Sequence, residues 1–327
     1  MPKVLITTVP FAAVDTSPIT QLTVAGIEYV INPLGRRLKE EELAEMVGDF
    51  DGLIAGTEPI TETVMQSAKR LRHISRVGIG LDSVDLLAAE RRGIQVSYTP
   101  DAPAPAGAEL AFGLMFALMR STHVASAELH RGVWKRHFGR RMCDVKIGII
   151  GAGRIGGRLL THLAKLEFKQ LFVSDENADL SIPSGLGIER VDKEQIYNEA
   201  DLISLHLPLS VKTKNMIKRA HLLQMKSDAM IVNTSRGGII NEQDLAEVLN
   251  SGHLSGAAID VFEQEPYDGP LANIDRCLLT SHMGSMSIDC RTRMEIEATQ
   301  ETVRFLTGKP LLGLVPEGEY EIQRQGL

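Results

Sequence analysis

Three polar side chains of complementary chemistry follow predicted strands in the second half of this 327-residue chain. Arg236 comes after the apolar run 229–235, Glu265 follows the run 257–262, and His282 lies at the end of the run 277–283. Because the carboxyl ends of parallel strands meet at one edge of a sheet, we expect these three side chains to converge there.

The three residue types suit one reaction. Histidine titrates near neutral pH and can take up or return a hydroxyl proton, while a neighbouring carboxylate stabilises its charged form. Arginine binds a carboxylate through two parallel hydrogen bonds. The set predicts hydride transfer at the 2-carbon of a small 2-hydroxy or 2-oxo acid. Taken singly, each residue could be a loop or structural residue, and only their joint placement favours catalysis.

The stretch KIGIIGAGRIG at residues 146–156 predicts a dinucleotide-binding loop. An apolar run leads directly into Gly151, Gly153 and Gly156, and a helical pattern follows. Glycines at this spacing allow a tight turn and a close approach of the pyrophosphate to the amino end of the helix. Asp175 stands nineteen positions after Gly156, where an acidic residue binds the adenosine ribose and repels a 2′-phosphate. The sequence therefore predicts NAD in preference to NADP.

The elements that must position these residues form an α/β pattern. Short runs rich in Val and Ile alternate with amphipathic stretches, which is typical of βαβ units and parallel sheets. Strands are predicted at residues 3–8, 27–31, 51–55, 73–78, 94–98, 146–151, 171–175, 202–208, 229–235, 257–262 and 277–283. One long helix is expected over 107–130 and another over 287–306, before a polar tail that we expect to be partly mobile. Three prolines mark residues 99–107 as a rigid crossing between two domains.

Composition narrows the class of protein. A chain of this length exceeds one ordinary core, so two domains are expected. The net charge of −7 and the lack of basic runs argue against a nucleic-acid surface. Three cysteines without metal or redox spacing favour a reducing, cytoplasmic location and predict no metal site. No secretory layout is found, and the apolar stretch 109–119 is too short for a bilayer, so no membrane partner is expected.

Together these motifs resemble the D-isomer-specific 2-hydroxyacid dehydrogenase family, which includes phosphoglycerate, glycerate/hydroxypyruvate and D-lactate dehydrogenases. The resemblance covers nearly the whole chain. The motifs that carry it are VGIGLDSVD (77–85), GAGRIG (151–156), HLPLSVKT (206–213), NTSRGG (233–238), DVFEQEP (260–266) and HMGS (282–285).

The resemblance implies a role for each catalytic residue. Arg236 would bind the substrate carboxylate, and Glu265 would pair with His282, the acid–base group. Backbone N–H groups of one loop would bind the remaining carboxylate oxygens: Gly78, Ile79 and Gly80. Arg76, just before this loop, matches an arginine that relatives place near the charged end of a phosphorylated substrate. A structural salt bridge of Arg76 is an equally good interpretation.

The resemblance also extends the cofactor site. Arg154 and Ile155 would contact the pyrophosphate, and Thr234 and Asp260 would lie at the nicotinamide end, with Asp260 reaching the carboxamide. The full set of cofactor residues is Gly151, Gly153, Arg154, Ile155, Gly156, Asp175, His206, Pro208, Thr213, Thr234, Ser235, Asp260 and Gly284. Gly107 stands where many relatives carry a branched residue beside the nicotinamide, and it either enlarges the pocket or has no effect.

The family fold implies two doubly wound parallel-sheet domains, Rossmann- and flavodoxin-like, with a cleft between them. Residues 1–99 and 287–327 would form the substrate-binding domain, and residues 100–286 the NAD-binding domain. The helix after the crossing usually drives dimerisation in the family, so a homodimer is expected, with residues 132–134 in that segment.

The substrate is the open part of this interpretation. Arg76 favours 3-phosphoglycerate among small anionic acids, with hydroxypyruvate, glyoxylate or a phosphono-acid as alternatives. Some relatives are NAD-sensing corepressors, so a non-catalytic binding protein is a further alternative, which a lack of turnover would reveal.

Overall fold

A computed structural model describes residues 1–177 and 187–326. The chain divides into two compact units, one made of Met1–Pro103 with Ser285–Leu327 and the other of Ala104–Gly284. The boundaries expected from the sequence, 99/100 and 286/287, stay a prediction. Both units are α/β, and each contains a parallel sheet with flanking helices, which confirms the predicted fold class.

The first unit contains a five-stranded sheet in the order β2-β1-β3-β4-β5, with all neighbours parallel. This is the flavodoxin-like doubly wound order. Its strands are β1 (Lys3–Ile6), β2 (Glu28–Ile31), β3 (Gly52–Ala55), β4 (His73–Arg76) and β5 (Gln95–Tyr98). The middle strands β3 and β4 are buried at every position, as expected where helices cover both faces.

Two helices of the first unit, those beginning at Glu62 and Leu86, follow side chains that cap them. Thr61 accepts a hydrogen bond from Val64 N, and Asp85 accepts one from Ala88 N. The helices are α1 (Ser17–Val24), α2 (Glu40–Met46), α3 (Glu62–Ser67), α4 (Leu86–Arg91), α11 (Ile288–Leu306) and α12 (Glu317–Arg324). The carboxyl-terminal helix α11 packs against α1, β3 and β4, so the end of the chain completes the amino-terminal fold.

The second unit contains a seven-stranded parallel sheet in the order β12-β11-β10-β9-β6-β7-β8. Counted from its own first strand, β6, the order matches the dinucleotide-binding arrangement with one added edge strand. Its strands are β6 (Lys146–Ile150), β7 (Gln170–Ser174), β8 (Ile188–Arg190), β9 (Leu202–Leu205), β10 (Met230–Asn233), β11 (Gly256–Ile259) and β12 (Cys277–Leu279). Its helices are α5 (Ala104–Met119), α6 (Thr122–His130), α7 (Gly156–Leu163), α8 (Lys193–Glu199), α9 (Arg219–Gln224) and α10 (Glu242–Asn250).

Three elements differ from those expected. The helix predicted over 107–130 is two helices, α5 and α6, bent by 68° at a break where Ser121 has a positive φ. The short edge strand β8 was not predicted. The tail forms the helix α12, which Gln323 fastens to the first unit through bonds with Val84 O and Leu86 N. Leu327, the last residue of that tail, lies outside the described residues.

In the described part of the chain, no single helix is long and apolar enough to cross a membrane. Only when α5 and α6 are taken together, across their bend, do they have the length and apolar composition of a membrane-spanning helix.

Candidate active site

The loops that follow β10, β11 and β12 lie side by side, because these strands are neighbours in the sheet. The loops after β10 and β11 approach each other closely because residue 237 is a glycine. A Cβ on Gly237 would lie 2.0 Å from the backbone of Phe262. Arg236 is thereby held beside the loop that carries Glu265. The third loop carries His282.

His282 and Glu265 form a close pair. His282 Nδ1 lies 2.9 Å from Oε2 and 3.1 Å from Oε1 of Glu265. A carboxylate can only accept, so Nδ1 carries a proton and Nε2 is left to exchange a proton with a ligand. Oε1 of Glu265 also accepts a bond from Phe262 N at 3.2 Å, which fixes the carboxylate. The histidine side chain is 40% exposed, so it remains open to a ligand.

Asp260 orders the loop that carries His282. It is completely buried at the end of β11, and its carboxylate accepts bonds from the hydroxyl of Thr280 and from the N–H groups of Met283 and Gly284. Its carbonyl accepts the N–H of His282 at 2.8 Å. His282 has a φ of +53°, which a non-glycine residue adopts only when its surroundings impose it. The predicted contact of Asp260 with the nicotinamide carboxamide stays a prediction.

Arg236 lies in a turn built around Asn233. The Asn233 side chain accepts bonds from the N–H and hydroxyl of Ser235 and donates to the Arg236 carbonyl. Arg236 Nη1 donates to Ser235 O at 2.6 Å. The hydroxyl oxygen of the nearly buried Thr234 has no hydrogen-bond partner among the described residues. Thr234 therefore has bonding capacity to offer a ligand at this edge.

The GAGRIG loop has the backbone of a phosphate-binding turn. Gly151 has a φ of +89°, and a Cβ there would lie 2.3 Å from His206 O. A Cβ on Gly156 would lie 2.0 Å from Gly151 O, so the start of α7 packs directly on the turn. The N–H groups of Gly153 and Ile155 donate to no acceptor within residues 1–177 and 187–326. Together with the exposed Arg154, these groups fit a dinucleotide pyrophosphate.

Asp175 lies at the end of β7, next to this loop. Its carboxylate accepts bonds from Ala152 N at 2.6 Å and from Asn177 N at 2.8 Å. From the neighbouring strand β8, the Arg190 guanidinium donates to the carbonyls of Asp175 and Asn177. An arginine thus lies beside the predicted ribose site, although fifteen positions separate it from Asp175 in the sequence.

The HLPLSVKT segment lines the other side of the GAGRIG loop. His206 Nε2 bonds Ser204 Oγ at 2.9 Å, and burial lowers the pKa of His206 to about 4, so the ring is neutral at physiological pH. The Thr213 hydroxyl donates to Pro208 O at 2.7 Å and closes the turn between them.

Gly107 does not enlarge a pocket in this structure. A Cβ on Gly107 would lie 3.2 Å from Ile155 Cδ1 and 3.6 Å from Gly284 O, so the side chain of Ile155 takes the space that a larger residue would occupy. The glycine lets α5, the GAGRIG loop and the His282 loop approach one another. This contact was not visible in the sequence, because it joins residues far apart in the chain.

The predicted substrate-binding residues other than Arg236 lie in the first unit, at the end of β4. Gly78 has a φ of +139°, and its N–H donates to the Thr99 hydroxyl at 2.8 Å. The N–H groups of Ile79 and Gly80 donate to no described acceptor, which leaves them as the two available donors of the loop. Arg76 is 7% exposed, and its Nη1 donates to the Val77 carbonyl. The predicted contact of Arg76 with a substrate phosphate stays a prediction.

The residues gathered around Glu265 also include Glu242. It accepts the N–H of Glu263 at 2.7 Å, and burial, with the nearby Glu263 and Glu265, raises its pKa. Among the described residues, no group of three or more His, Cys, Asp or Glu side chains is arranged to bind a metal ion.

The family model described as "D-isomer specific 2-hydroxyacid dehydrogenase, NAD binding domain" matches residues 112–284. The chain belongs to this family. The match falls within the second unit of the chain, which contains the GAGRIG loop, Asp175 and the His282–Glu265 pair. The predictions of the family and of NAD as the cofactor are confirmed.

Similar proteins are named for several substrates. The chain is 37% identical to a D-3-phosphoglycerate dehydrogenase of Methanocaldococcus jannaschii over 83% of this chain and 53% of that one. It is 33% identical to a hydroxypyruvate reductase of Thermotoga maritima over 82% and 89%. The chain therefore spans about half the length of the first relative and most of the second. The solved TT0316 protein of Thermus thermophilus is 31% identical, with a TM-score of 0.86 and coverage of 96% and 100%.

Sequence reasoning missed two residues that shape the site. Thr280 bonds Asp260, and Arg190 lies beside Asp175. Thr280 stands two positions before His282, at the end of a predicted strand, and this position could have identified it as a site residue. Arg190 gave none, because its proximity depends on the unpredicted pairing of β8 with β7.

Proposed function

We propose that the chain is an NAD-dependent oxidoreductase that transfers a hydride between NAD(H) and the 2-carbon of a small D-2-hydroxy or 2-oxo acid. The observation that carries this proposal is the pairing of His282 Nδ1 with the Glu265 carboxylate on a loop beside Arg236. Such a pair supplies a proton-exchanging imidazole with a fixed tautomer.

Different side chains bind the acid and transfer the proton. A nicotinamide dinucleotide held by the GAGRIG loop and Asp175 would supply the hydride acceptor. In the oxidative direction, His282 Nε2 takes the proton from the C2 hydroxyl as the C–O bond becomes a carbonyl. Glu265 orients the ring and stabilises imidazolium. Arg236 binds the acid carboxylate. Within the first unit, the N–H groups of Ile79 and Gly80 are available donors. In the reductive direction the same proton returns to the carbonyl oxygen.

Two substrate classes agree with the relatives. The phosphoglycerate dehydrogenases favour 3-phosphoglycerate, the class first suggested by Arg76. The reductases of similar length favour hydroxypyruvate or glyoxylate. A phosphono-acid is a third possibility within the same reaction. The proposal is therefore the reaction class, and a panel of acids distinguishes these substrates.

The test is NADH oxidation by the purified chain with glyoxylate, hydroxypyruvate, pyruvate, phosphohydroxypyruvate and phosphonopyruvate. We expect turnover with at least one acid, and we expect His282→Ala to lower kcat by about 10²–10⁴-fold while NADH still binds, the usual worth of an acid–base group. His162→Ala, on the exposed side of α7, is the matched control and should leave kcat unchanged. Tight NADH binding without turnover on any acid would instead favour a sensor protein.

We also propose a homodimer in the cytoplasm. The segment from α6 to residue 138 exposes Leu129, Val133, Trp134 and Phe138, and α6 has no buried residue. Apolar residues exposed together indicate a surface that another chain covers. All three cysteines are free, and two are buried, which suits a reducing compartment.

A further inference from the structure

The connection between β10 and α10 contacts the loop after β11 at a second point besides the close approach at Gly237. Helix α10 begins at Glu242, and Oε1 of Glu242 accepts a hydrogen bond from Glu263 N at 2.7 Å. Glu263 stands two positions before Glu265 in the loop after β11. All of these residues belong to the second unit. The first turn of α10 therefore contacts the loop that carries Glu265.

Glu242 is a half-buried acid with other acids around it. Burial raises its pKa, and the carboxylates of Glu263 and Glu265 raise it further, while hydrogen bonds from Glu263 N and the Tyr267 side chain lower it. In the part of the chain that the structure describes, no Lys, Arg or His forms an ion pair with Glu242 within 4.0 Å. The amino end of α10 offsets part of the repulsion. Charge interactions with its neighbours therefore do not explain an acid at this position, whereas the bond to Glu263 N does.

The bond to Glu263 N fixes the backbone next to the group that holds Glu265. The preceding N–H, that of Phe262, donates to Glu265 Oε1 at 3.2 Å. The rings of Phe262 and Tyr267 stack with their centroids 4.0 Å apart, and Leu271 N donates to the Tyr267 hydroxyl at 3.0 Å. The loop is therefore fixed on both sides of Glu265, by α10 on the amino side and by the stacked rings on the carboxyl side.

Loss of the acceptor at α10 would act on the acid–base pair through this loop. If the peptide group of Glu263 moves, Phe262 N moves with it, and the Glu265 carboxylate loses the donor that fixes it. That carboxylate in turn sets the tautomer and the orientation of His282. Misplacement of a reacting group lowers the rate of the chemical step, because alignment matters most in the transition state.

We propose that Glu242 is a positioning residue for the proposed reaction, because its bond to Glu263 N holds the loop in which Glu265 orients the acid–base histidine. This inference rests on the proposed function. The hydrogen bond is what acts, and not the charge of Glu242, so a neutral acceptor of the same length should serve as well. Since Glu242 acts through another residue, its effect should disappear when Glu265 is replaced.

The test compares variants of Glu242 in NADH-dependent reduction of glyoxylate, hydroxypyruvate, pyruvate, phosphohydroxypyruvate and phosphonopyruvate by the full chain. Glu242→Ala removes the acceptor and should lower kcat by about tenfold, with the KM for the acid and the affinity for NADH unchanged. Glu242→Gln keeps an acceptor oxygen without the charge and should retain the wild-type kcat. Glu242→Asp keeps the charge but withdraws the oxygen by one methylene, so its kcat should fall as that of Glu242→Ala does.

A double-mutant cycle tests the route from Glu242 to the acid–base pair. Residues that act within one hydrogen-bonded network are not additive. Glu242→Ala should therefore lower kcat in the wild-type background and leave it nearly unchanged in the Glu265→Gln background. An equal fall in both backgrounds would overturn the inference.

The control is Glu247→Ala on the same helix, where the exposed Glu247 side chain lies 3.7 Å from Arg219. Its kcat should equal that of the wild type. A wild-type kcat for Glu242→Ala, or a parallel loss of kcat and NADH affinity, would mean that Glu242 only stabilises the fold. If Glu242→Ala does not fold, equal kcat values for Glu242→Gln and Glu242→Asp overturn the inference. Absence of turnover by the wild-type chain with every acid would instead overturn the proposed function.

Discussion

Asp175 contributes to two features of the cofactor site at once. Its carboxylate holds the N–H of Ala152 inside the GAGRIG loop, and it lies where the adenosine ribose is expected. The proposed ribose contact would therefore place the choice between NAD and NADP on the same side chain that holds the loop. Arg190 adds a cation on the neighbouring strand, close to the Asp175 backbone.

We expect Asp175→Ala to lower the preference for NADH over NADPH by roughly tenfold or more, because it removes a charge that repels a 2′-phosphate. The variant should also bind NADH more weakly, since Ala152 N loses its acceptor. Titration of both cofactors measures the two effects. Adding Arg190→Gln to Asp175→Ala should reduce NADPH binding again, and unchanged NADPH binding in the double variant would show that Arg190 plays no part.

At this scale, the sequence revealed residues that lie within recognisable motifs. His282, Glu265 and Arg236 were found because each follows a strand at a position whose neighbours are distinctive. The buried acid Glu58 was not found, because its hydrogen bonds come from Thr7 and Gly56 only in the folded unit. Burial of a polar group is a tertiary property that no local pattern encodes.

Among the elements, α5 has the most direct influence on the site. Its Gly107 faces Ile155 and Gly284, whereas Gly113 on the same helix has no atom within 4 Å of an added Cβ. The two glycines thus provide a matched pair, one at a close approach and one in open space.

Gly107→Val should weaken NADH binding by about 5- to 100-fold, because overpacking costs about 1–3 kcal/mol and Ile155 would have to leave its place on the GAGRIG loop. Gly113→Val should bind NADH as the wild type does. Fluorescence titration of NADH into the two variants and the wild type measures the difference. Equal affinities for both variants would show that the contact with Ile155 is unimportant.

Most elements were predictable from the period of apolar residues, since buried parallel strands are short continuous runs. β8 was missed because its sequence, IER, is largely exposed and has no apolar run. The break between α5 and α6 was missed because Arg120 and Ser121 carry no proline or glycine signal, and α6 has no buried face to mark it. The helix α12 depends on bonds to the distant α4 region.

At the scale of the whole molecule, the exposed apolar segment from α6 to residue 138 predicts a homodimer. Trp134→Asp with Phe138→Asp should convert a dimer to a monomer in size-exclusion chromatography with light scattering, because a charge would be buried in an apolar interface. Val24→Asp, at an equally exposed valine of the first unit, is the control and should leave the mass unchanged. A wild-type chain that is already monomeric at micromolar concentration would contradict the proposed homodimer.

The His282–Glu265 pair proposed for proton transfer and the GAGRIG loop belong to one continuous stretch of chain, 104–284, while the 78–80 loop belongs to the flanking stretches. The residues proposed for proton transfer and those proposed to bind the carboxylate of the acid thus lie partly in separate segments of the chain. Under the proposed function, sequence changes in the flanking stretches would alter the contacts offered to the acid without altering the His282–Glu265 pair. A chimaera in which residues 1–103 and 285–327 are replaced by those of a relative would therefore be expected to carry the substrate preference of that relative.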